Sequence, residues 1–471
     1  MTYQPVTPAI IQELIAICGQ NNVIANDPEK LEPYSHDEVS DPHYHAMPEV
    51  VVKPKTTDEI SKIMTLANRN LIPVTPRGAG SGLSCGAVPV CGGIVLSIER
   101  MNQILEIDTQ NLMITVEPGV VTNEINQVLK EYNLFYAGYP MSLETCYVGG
   151  NVAENAGGGK AIKYGVTSRY VHGIEAVLPD GQVVQMGGKR MKDVTGYDLV
   201  HLMVGSEGTL AIFTKIILKL LPLPKASADL LVLFPDAASA IRMVPIIMTE
   251  SGIIPTAIEF MDRLSAQTAC DYLNEHFAYQ AAGAMLLITV DGYEQTQVEK
   301  DYETIGELCL ANRAIEVYVA DNATTSERIW KIRRNIAEAF KVYSPVQSLE
   351  DIVVPFAQIP DIMPELEKIS ERYDVVIPCY GHAGDGNLHA TIVKKPEMEM
   401  TTWETRLPEV LKDLYQSTVN LGGTISGEHG IGSKRKKYMS QIMAPQEIEL
   451  MKRIKLAFDP NCILNPGKMF D

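Results

Sequence analysis

A glycine-rich loop, Pro76-Arg77-Gly78-Ala79-Gly80-Ser81-Gly82-Leu83, constrains the fold of this chain more than any other stretch. It lies between two apolar runs, 71–74 and 94–98, that are typical of short buried strands. Three glycines in five residues allow positive φ angles and turn backbone N–H groups inward, and such a concave loop binds phosphate oxygens. Arg77 adds a fixed positive charge. A tight structural turn explains the loop by itself equally well.

Two common phosphate-binding loops are excluded by the residues after this glycine loop. The chain has no Gly-Lys-Ser/Thr there, as a Walker A loop requires, and the next element is a strand and not the helix of a Rossmann fingerprint.

Two more glycine stretches favour a ligand. Residues 140–165 read PMSLETCYVGGNVAENAGGGKAIKYG, with six glycines and two asparagines among small residues. The stretch is too long and too non-repetitive for a flexible linker, so it predicts backbone packed against a large flat ligand. A third stretch, 204–210 (VGSEGTL), precedes a predicted strand at 211–221.

With the segment Val116-Glu117-Pro118-Gly119-Val120, these stretches resemble, in the same order, the flavin-binding domain of the vanillyl-alcohol oxidase type. The resemblance implies an FAD-binding domain in which the first loop holds the pyrophosphate and 140–165 lines the flavin and the adenine. Non-covalent FAD is expected, because family members that attach flavin through the first loop carry a histidine where this chain has Ser81. The residues implicated in FAD binding are Arg77, Gly78, Ala79, Gly80, Ser81, Gly82, Leu83, Pro118, Gly119, Pro140, Leu143, Thr145, Gly149, Gly150, Asn155, Gly157, Gly158, Tyr164, Gly165, Glu207, Gly208 and Ile212.

Composition excludes several classes of function. The 471 residues allow two or three domains, and the net charge of −18 argues against nucleic acid as a partner. No apolar run approaches the roughly 20 residues of a membrane span, and the N-terminus lacks the pattern of a secretory signal. We therefore expect a cytoplasmic protein without a transmembrane segment.

Eight cysteines are scattered without any C-x-x-C pair, which suits a reducing cytosol and argues against a zinc ribbon or a bound iron–sulfur cluster. A redox enzyme with this composition would pass its electrons to a separate acceptor.

The second half predicts an α+β domain. From residue 230 the elements follow the order β-α-β-β-α-β of a ferredoxin-like unit, and the order recurs from 352, where the last strand, 424–426, is very short. We predict one mostly antiparallel sheet in a substrate (cap) domain at 225–457. The FAD-binding domain is predicted at 1–224 and is completed by 458–471.

Two motifs in the second half carry candidate chemistry: 380–389 (YGHAGDGNLH) and 426–432 (SGEHGIG). The Gly-Asp-Gly-Asn turn allows His382 and His389 to converge, and two histidines with a carboxylate are common ligands of a divalent metal. A hydrogen-bonded core pair of histidines is the structural alternative. In an ideal ferredoxin-like unit the two motifs lie at opposite ends, so either the second repeat is incomplete or 426–432 folds back.

With the C-terminal run 464–470 (LNPGKMF), these motifs resemble the FAD-linked 2-hydroxy acid dehydrogenases, a group with glycolate oxidase flavin subunits, D-lactate dehydrogenases and D-2-hydroxyglutarate dehydrogenases. The resemblance implies a metal (zinc, iron or manganese) bound by His382, His389 and Glu428. It also implies that His429 is the catalytic base, that Arg333 binds the substrate carboxylate, and that Asn465 and Lys468 bring the C-terminal tail back to the flavin.

The expected activity is oxidation of a D-2-hydroxy acid, with electrons passed to an electron-transferring flavoprotein or an iron–sulfur subunit. Residues 337–349 lack a threonine and lysine matching those that hold a second carboxylate in some 2-hydroxyglutarate enzymes, which favours a small monocarboxylate such as lactate or glycolate. D-lactate is the best candidate. Glycolate, D-2-hydroxyglutarate and a non-catalytic electron-relay subunit remain alternatives. The basic run 434–437 (KRKK) predicts either a docking site for an acidic redox partner or, more often, a solvated helix face.

Overall fold

The computed structural model describes residues 2–39, 41–275, 278–320 and 322–470 and divides the chain into two compact units. We call residues 1–157, 166–223 and 428–471 the terminal unit, and residues 158–165 and 224–427 the central unit. Within the described residues, no helix is both long enough and apolar enough to cross a lipid bilayer.

Short strands form the framework of the terminal unit. They are β1 (Val23–Ala25), β2 (Val50–Val52), β3 (Val74–Arg77), β4 (Ile94–Ser97), β5 (Ile104–Asp108), β6 (Met113–Val116), β7 (Leu134–Phe135), β8 (Val171–Val177), β9 (Val183–Gly187), β10 (Ile212–Lys219) and β11 (Leu221–Pro222).

These strands pair into a four-stranded sheet of order β1-β2-β4-β3, a five-stranded sheet of order β5-β6-β10-β8-β9 and the small pair β11-β7. β2, β4 and β3 run parallel, and their residues are nearly all buried, as is usual where both faces of a parallel sheet are covered. β8 and β9 pair antiparallel as a hairpin around Pro179-Asp180-Gly181.

The helices of both units, in chain order, are α1 (Pro8–Cys18), α2 (Pro28–Leu31), α3 (Thr57–Asn70), α4 (Thr122–Leu129), α5 (Val148–Glu154), α6 (Ala161–Tyr164), α7 (Leu199–Met203), α8 (Ala237–Glu250), α9 (Arg263–Leu273), α10 (Gln295–Ala311), α11 (Ala323–Arg334), α12 (Ile336–Tyr343), α13 (Ile359–Tyr373), α14 (Met400–Asn420), α15 (Met439–Ile442) and α16 (Pro445–Phe458).

One antiparallel sheet organises the central unit. Its strands are β12 (Ala226–Phe234), β13 (Ala257–Asp262), β14 (Ala284–Gly292), β15 (Glu316–Ala320), β16 (Gln347–Val353), β17 (Cys379–His382) and β18 (Asn387–Val393).

The strand order of this sheet is β15-β12-β14-β13-β17-β18-β16. The first four strands have the order of a complete ferredoxin-like unit, and the predicted α+β class with a mostly antiparallel sheet is confirmed.

The second ferredoxin-like repeat is incomplete. The predicted strand at 424–426 does not form, and this segment makes only isolated bridges to β16, antiparallel at Thr424 and parallel at Ser426. A reversal of direction within three residues cannot continue a strand, so the chain turns back beside the last strand of the sheet. The ideal topology, which would put the two motifs at opposite ends of the sheet, therefore does not apply to the second repeat.

One helix of the central unit is absent from the predicted order of elements. Helix α9 was missed, although Asp262 caps it by accepting the N–H of Ser265. Helices α11 and α12 meet at Asn335, whose side chain donates to the carbonyl of Lys331.

The unit boundaries differ from the predicted domain boundaries at two places. Residues 428–457 lie in the terminal unit, because Glu207 accepts the N–H groups of Ile431 and Gly432 at 2.7 Å each. Residues 158–165 lie in the central unit, where the ammonium of Lys163 pairs with Asp291 at 2.5 Å.

A buried ion pair anchors the C-terminal tail within the terminal unit. Lys455, on α16, donates to Asp459 at 2.6 Å, to the carbonyl of Thr209 at 2.7 Å and to the carbonyl of Leu464 at 2.8 Å. The Asp459 side chain is fully buried and also accepts the N–H of Leu464 at 2.8 Å. The tail is therefore held by charge-assisted bonds away from water.

We predict that Lys455→Met destabilises the protein by about 3–5 kcal/mol, because removal of one partner leaves a buried charge without compensation. Chemical denaturation followed by circular dichroism measures the change. Arg453→Met on the same helix is the matched control, since its ion pair with Glu449 is exposed and is worth roughly 0.3–0.5 kcal/mol. Equal effects of the two substitutions would contradict the assignment.

Candidate functional site

The first glycine loop follows β3, and its backbone at Gly80 packs against the side chain of Arg77. The Arg77 guanidinium donates to the carbonyls of His36 at 2.7 Å and Pro33 at 3.0 Å. A Cβ on Gly80, whose φ is +76°, would overlap the Arg77 guanidinium. Arg77 thus supports the loop from within, and its burial lowers the pKa of the guanidinium.

The backbone of this loop fits an anion. Among the described residues, no acceptor receives a hydrogen bond from the backbone N–H groups of residues 78–84. Oriented N–H groups without protein acceptors form the kind of nest that binds phosphate. The loop therefore fits the pyrophosphate of a dinucleotide.

Other predicted binding segments converge on this loop. A Cβ on Gly78 would lie 3.8 Å from the Cα of Gly150, and a Cβ on Gly149 would lie 2.6 Å from the Cβ of Pro118. The close approach of these backbones requires glycine at position 149. Pro118 is followed directly by Gly119, whose N–H donates to the carbonyl of Met101.

The third glycine stretch and the C-terminal tail also meet at the base of the loop. A Cβ on Gly208 would lie 2.8 Å from Pro76. Asn465 donates from its side chain to the carbonyls of Glu207 at 2.8 Å and Gly86 at 3.1 Å. Asn465 thus holds the C-terminal tail against the third glycine stretch within the terminal unit.

Several predicted FAD residues have structural partners elsewhere. The Thr145 hydroxyl donates to the backbone carbonyl of Ser142 in its own turn, and the side-chain oxygen Oδ1 of Asn155 accepts the N–H of Ser168. The carbonyl of Leu143, in the same turn, accepts the N–H of Asn123, and Pro140 precedes that turn. A Cβ on Gly157 would lie 3.1 Å from Val166, and Ile212 is the first residue of β10.

Gly158, Tyr164 and Gly165 belong to the central unit. The Tyr164 hydroxyl donates to Asp291 at 3.0 Å.

Buried charges connect the 428–432 loop to the first glycine loop within the terminal unit. Arg435 is fully buried and donates to the carbonyls of Gly430 at 3.1 Å and Leu83 at 3.3 Å. Glu207 holds the same loop from its other side, and a Cβ on Gly430 would overlap Glu154. Burial, and then the charge of Glu207, raise the pKa of Glu154 well above its usual range.

The basic run 434–437 is neither a free docking site nor a solvated helix face as a whole. Lys434 is 6% exposed and Arg435 is fully buried, so half of the run is unavailable to a partner. Sequence reasoning missed this because nothing in the run itself reveals the acidic residues that face it.

Glu428 and His429 are the first two residues of the last segment of the terminal unit, directly after the central unit ends at Gly427. The Nε2 atom of His429 lies 3.5 Å from Oε1 of Glu428, and the two side chains are only 11% and 10% exposed.

The predicted histidines converge in the central unit. The hairpin of β17 and β18 turns at Gly386, whose φ is +86°, and places the ring centroids of His382 and His389 5.5 Å apart. Asp351, on β16, lies opposite His389 in the register and is fully buried. Two imidazoles and a carboxylate form a donor set of the kind that binds divalent metals.

Asp351 is a functional candidate that sequence reasoning missed. It accepts hydrogen bonds from the Asn387 side chain at 2.7 Å, the Ser426 hydroxyl at 2.9 Å and the Gly427 N–H at 2.9 Å. The sequence feature that could have identified Asp351 is its position in the apolar run LEDIVVP (349–355), where a buried acidic residue needs hydrogen-bond partners.

Glu259 is the second residue that was missed. It lies opposite His382 on the neighbouring strand β13, fully buried, with Oε1 2.7 Å from His382 Nδ1 and Oε2 2.6 Å from the Arg333 guanidinium. Burial alone would raise the pKa of Glu259, but the charges of Arg333 and His382 outweigh burial and lower it. Arg333 also lies over the ring of Tyr380, 5.2 Å from its centroid.

Lys468 is a buried cation in the C-terminal tail. Its ammonium donates to the carbonyl of Val88 at 2.5 Å, and the residue is 3% exposed. Burial lowers the pKa of Lys468 to about 8. A buried cation beside the first loop fits a terminal unit that binds an anionic ligand.

We predict that FAD-free wild-type protein gains stability relative to Lys468→Met as the pH rises from about 8 to 10.5. In this window the folded state has released the Lys468 proton while the unfolded state still binds it, so stability rises with pH by about 1.4 kcal/mol per pH unit from this group. Urea denaturation at pH 7, 9 and 10 measures the difference between the two proteins. A constant difference would contradict the depressed pKa.

Comparison with known proteins agrees with this architecture. Residues 223–469 match the family described as FAD linked oxidases, C-terminal domain, and residues 48–187 match the FAD binding domain family. The chain is 40% identical to glycolate oxidase subunit GlcD of Bacillus subtilis, over 99% of this chain and 97% of the relative. It is 35% identical to a D-lactate dehydrogenase of Anaerostipes hadrus, over 99% and 98%.

The solved structure of p-cresol methylhydroxylase with substrate bound has the same fold, with a TM-score of 0.79 at 18% identity over 98% of this chain and 96% of that one. The resemblance inferred from the glycine stretches and the histidine motifs is confirmed, and the chain belongs to the family of FAD-linked oxidases, as an oxidoreductase with an FAD-binding domain.

Proposed function

We propose that the protein oxidises a D-2-hydroxy acid, with D-lactate as the best candidate, to the corresponding 2-oxo acid. The observation that supports this most is that His382, His389 and Asp351 lie on paired strands and that Arg333, on α11, is ion-paired with Glu259 of the same sheet. This arrangement combines metal donors with a cation for a carboxylate. The relatives named glycolate oxidase subunit and D-lactate dehydrogenase act, by those names, on 2-hydroxy acids.

We propose that His382, His389 and Glu428 bind one divalent metal, which would be zinc, iron or manganese. The Gly427 N–H is bonded to Asp351, which lies opposite His389, and Glu428 is the next residue along the chain. A divalent metal, when bound, supplies Lewis acidity that lowers the pKa of a substrate hydroxyl.

Arg333 is proposed to bind the substrate carboxylate. It is 4% exposed, and a planar guanidinium binds a carboxylate through parallel hydrogen bonds. Tyr380 under the guanidinium restricts its orientation. This positioning holds the C2 atom of the substrate in place, which supplies much of the rate in reactions of this kind.

His429 is proposed to take the proton of the substrate hydroxyl. An imidazole is a suitable general base near pH 7. FAD supplies the acceptor for the two electrons and the hydrogen that leave C2. Loss of that hydride and of the hydroxyl proton converts the 2-hydroxy acid to the 2-oxo acid.

The FAD is proposed to bind non-covalently at the first glycine loop and the segments that meet it. Its pyrophosphate would accept hydrogen bonds from the backbone N–H groups of residues 78–84. Gly149, Gly150, Gly208 and Asn465 would lie around the loop.

The sequence and the cysteines bear on substrate size and electron acceptor. Residues 337–349 contain no threonine, and the ammonium of their one lysine, Lys341, pairs with Glu338 at 2.9 Å. This favours D-lactate or glycolate over D-2-hydroxyglutarate, which needs groups for a second carboxylate. The eight cysteines are free thiols, which suits a cytoplasmic enzyme that gives its electrons to a separate flavoprotein or iron–sulfur subunit.

We expect anaerobic addition of D-lactate to bleach the absorbance of the bound flavin in wild-type protein, and L-lactate to leave it unchanged. His389→Ala should slow bleaching by at least about a hundredfold with FAD still bound, because it removes a proposed metal ligand. His201→Ala, an exposed histidine, is the matched control. Stopped-flow spectroscopy with a panel of 2-hydroxy acids measures these rates.

Wild-type protein that no 2-hydroxy acid bleaches would reject the proposed activity and leave the electron-relay alternative. Normal bleaching of His389→Ala would reject the metal role alone.

We predict that Gly80→Ala lowers the affinity for FAD by roughly tenfold or more, because an added methyl group displaces the Arg77 guanidinium that supports the loop. Gly196→Ala is the matched control: its φ is +83°, but a Cβ there meets no described atom within 4 Å. Fluorescence titration of FAD-free protein measures both affinities. An equal loss in both variants would show that backbone strain, and not the Arg77 contact, is responsible.

A further inference from the structure

Glu259 connects two groups that the proposed reaction uses separately. Its Oε1 lies 2.7 Å from Nδ1 of His382, and its Oε2 lies 2.6 Å from the guanidinium of Arg333. All three side chains are at most 5% exposed. Strand pairing fixes this arrangement, since Glu259 and His382 are direct partners in the register of β13 and β17.

A carboxylate at Nδ1 determines which nitrogen of a histidine is available. When Nδ1 donates its proton to Glu259, the lone pair of a neutral His382 is at Nε2. Carboxylates placed in this way orient histidine ligands and increase their basicity. Nε2 of His382 is then the atom that can bind a metal.

The same carboxylate also determines where Arg333 can point. Removing a cation from water is costly unless a partner compensates for it, and Glu259 is the ion-pair partner that the structure gives Arg333. Tyr380 holds the guanidinium from a second direction, and its ring stacks on His389 with centroids 5.3 Å apart. The carboxylate-binding cation and the two histidines thus share one rigid set of contacts.

We propose that Glu259 is a positioning residue that sets the tautomer of His382 and the orientation of Arg333 with one carboxylate. This inference rests on the proposed function, because it gives His382 and Arg333 the roles proposed above. It also adds a requirement: the metal site and the substrate clamp cannot be altered independently, since each holds one oxygen of the same side chain.

Glu259→Gln tests this directly, because an amide has one acceptor and one donor end. Either the amide N–H₂ faces the Arg333 guanidinium, or it donates to Nδ1 of His382 and the proton of that imidazole is then at Nε2. We expect zinc affinity to fall by about ten- to a hundredfold. At saturating zinc, the KM for D-lactate should rise, and FAD content should remain unchanged.

Asp229→Asn is the matched control. Asp229 is a buried carboxylate on strand β12 of the same sheet, 3% exposed and hydrogen-bonded to Thr289 and Ser326, with no histidine among these partners. Zinc alone, titrated into metal-stripped FAD-bound protein against a competing chelator, measures the affinity of wild-type protein and both variants. The control should bind zinc as wild-type does.

A second measurement covers the case in which Glu259→Gln fails to fold. Long-range ¹H–¹⁵N spectra of wild-type protein with labelled histidine report the tautomer of His382, assigned with His382→Asn. We expect the proton at Nδ1. A proton at Nε2 instead would overturn the inference.

The outcomes separate this inference from the proposed function. Zinc binding in wild-type protein with unchanged affinity in Glu259→Gln would overturn the role of Glu259 and leave the metal site standing. Failure of wild-type protein to bind zinc, manganese or iron would reject the metal site and the inference together.

Discussion

The carboxylate of Asp351 is the contact on which the arrangement of the central unit depends. It lies opposite His389 across paired strands and accepts hydrogen bonds from Asn387 in the hairpin and from Ser426 and Gly427 in the returning chain. One buried side chain therefore joins three chain segments: its own strand β16, the hairpin and the returning chain. A buried carboxylate without these donors would be costly, so the contacts and the charge require each other.

Other buried charges are also compensated by buried hydrogen-bond or ion-pair partners. Glu259 is shared by His382 and Arg333, Lys455 is surrounded by Asp459 and two carbonyls, and Arg435 donates to two loop carbonyls. Buried ion pairs contribute little net stability compared with apolar packing, but breaking one is expensive. Such residues are well suited to fixing the geometry of a site, because any displacement leaves a charge without its partner.

The sequence predicted the first glycine loop, the convergence of His382 with His389, and the ferredoxin-like order, because each depends on neighbours along the chain. Glycine spacing, a tight turn and apolar periodicity are local signals. Asp351 and Glu259 were missed because their role depends on which strand lies beside theirs. The burial of Lys434 and Arg435 was missed for the same reason, since a charge run has no local sign of the acids that face it.

What the sequence determined by itself is the kind of protein: glycine loops and histidine motifs that match a family of FAD-linked oxidases, on an α+β chain. What only the tertiary structure decided is which charged groups meet. The register of β13, β17, β18 and β16 places Glu259, His382, His389 and Asp351 on adjacent strands, although the first of them in the chain, Glu259, and the last, His389, are 130 residues apart. Strand pairing is set by the packing of the whole sheet, and no local pattern specifies it.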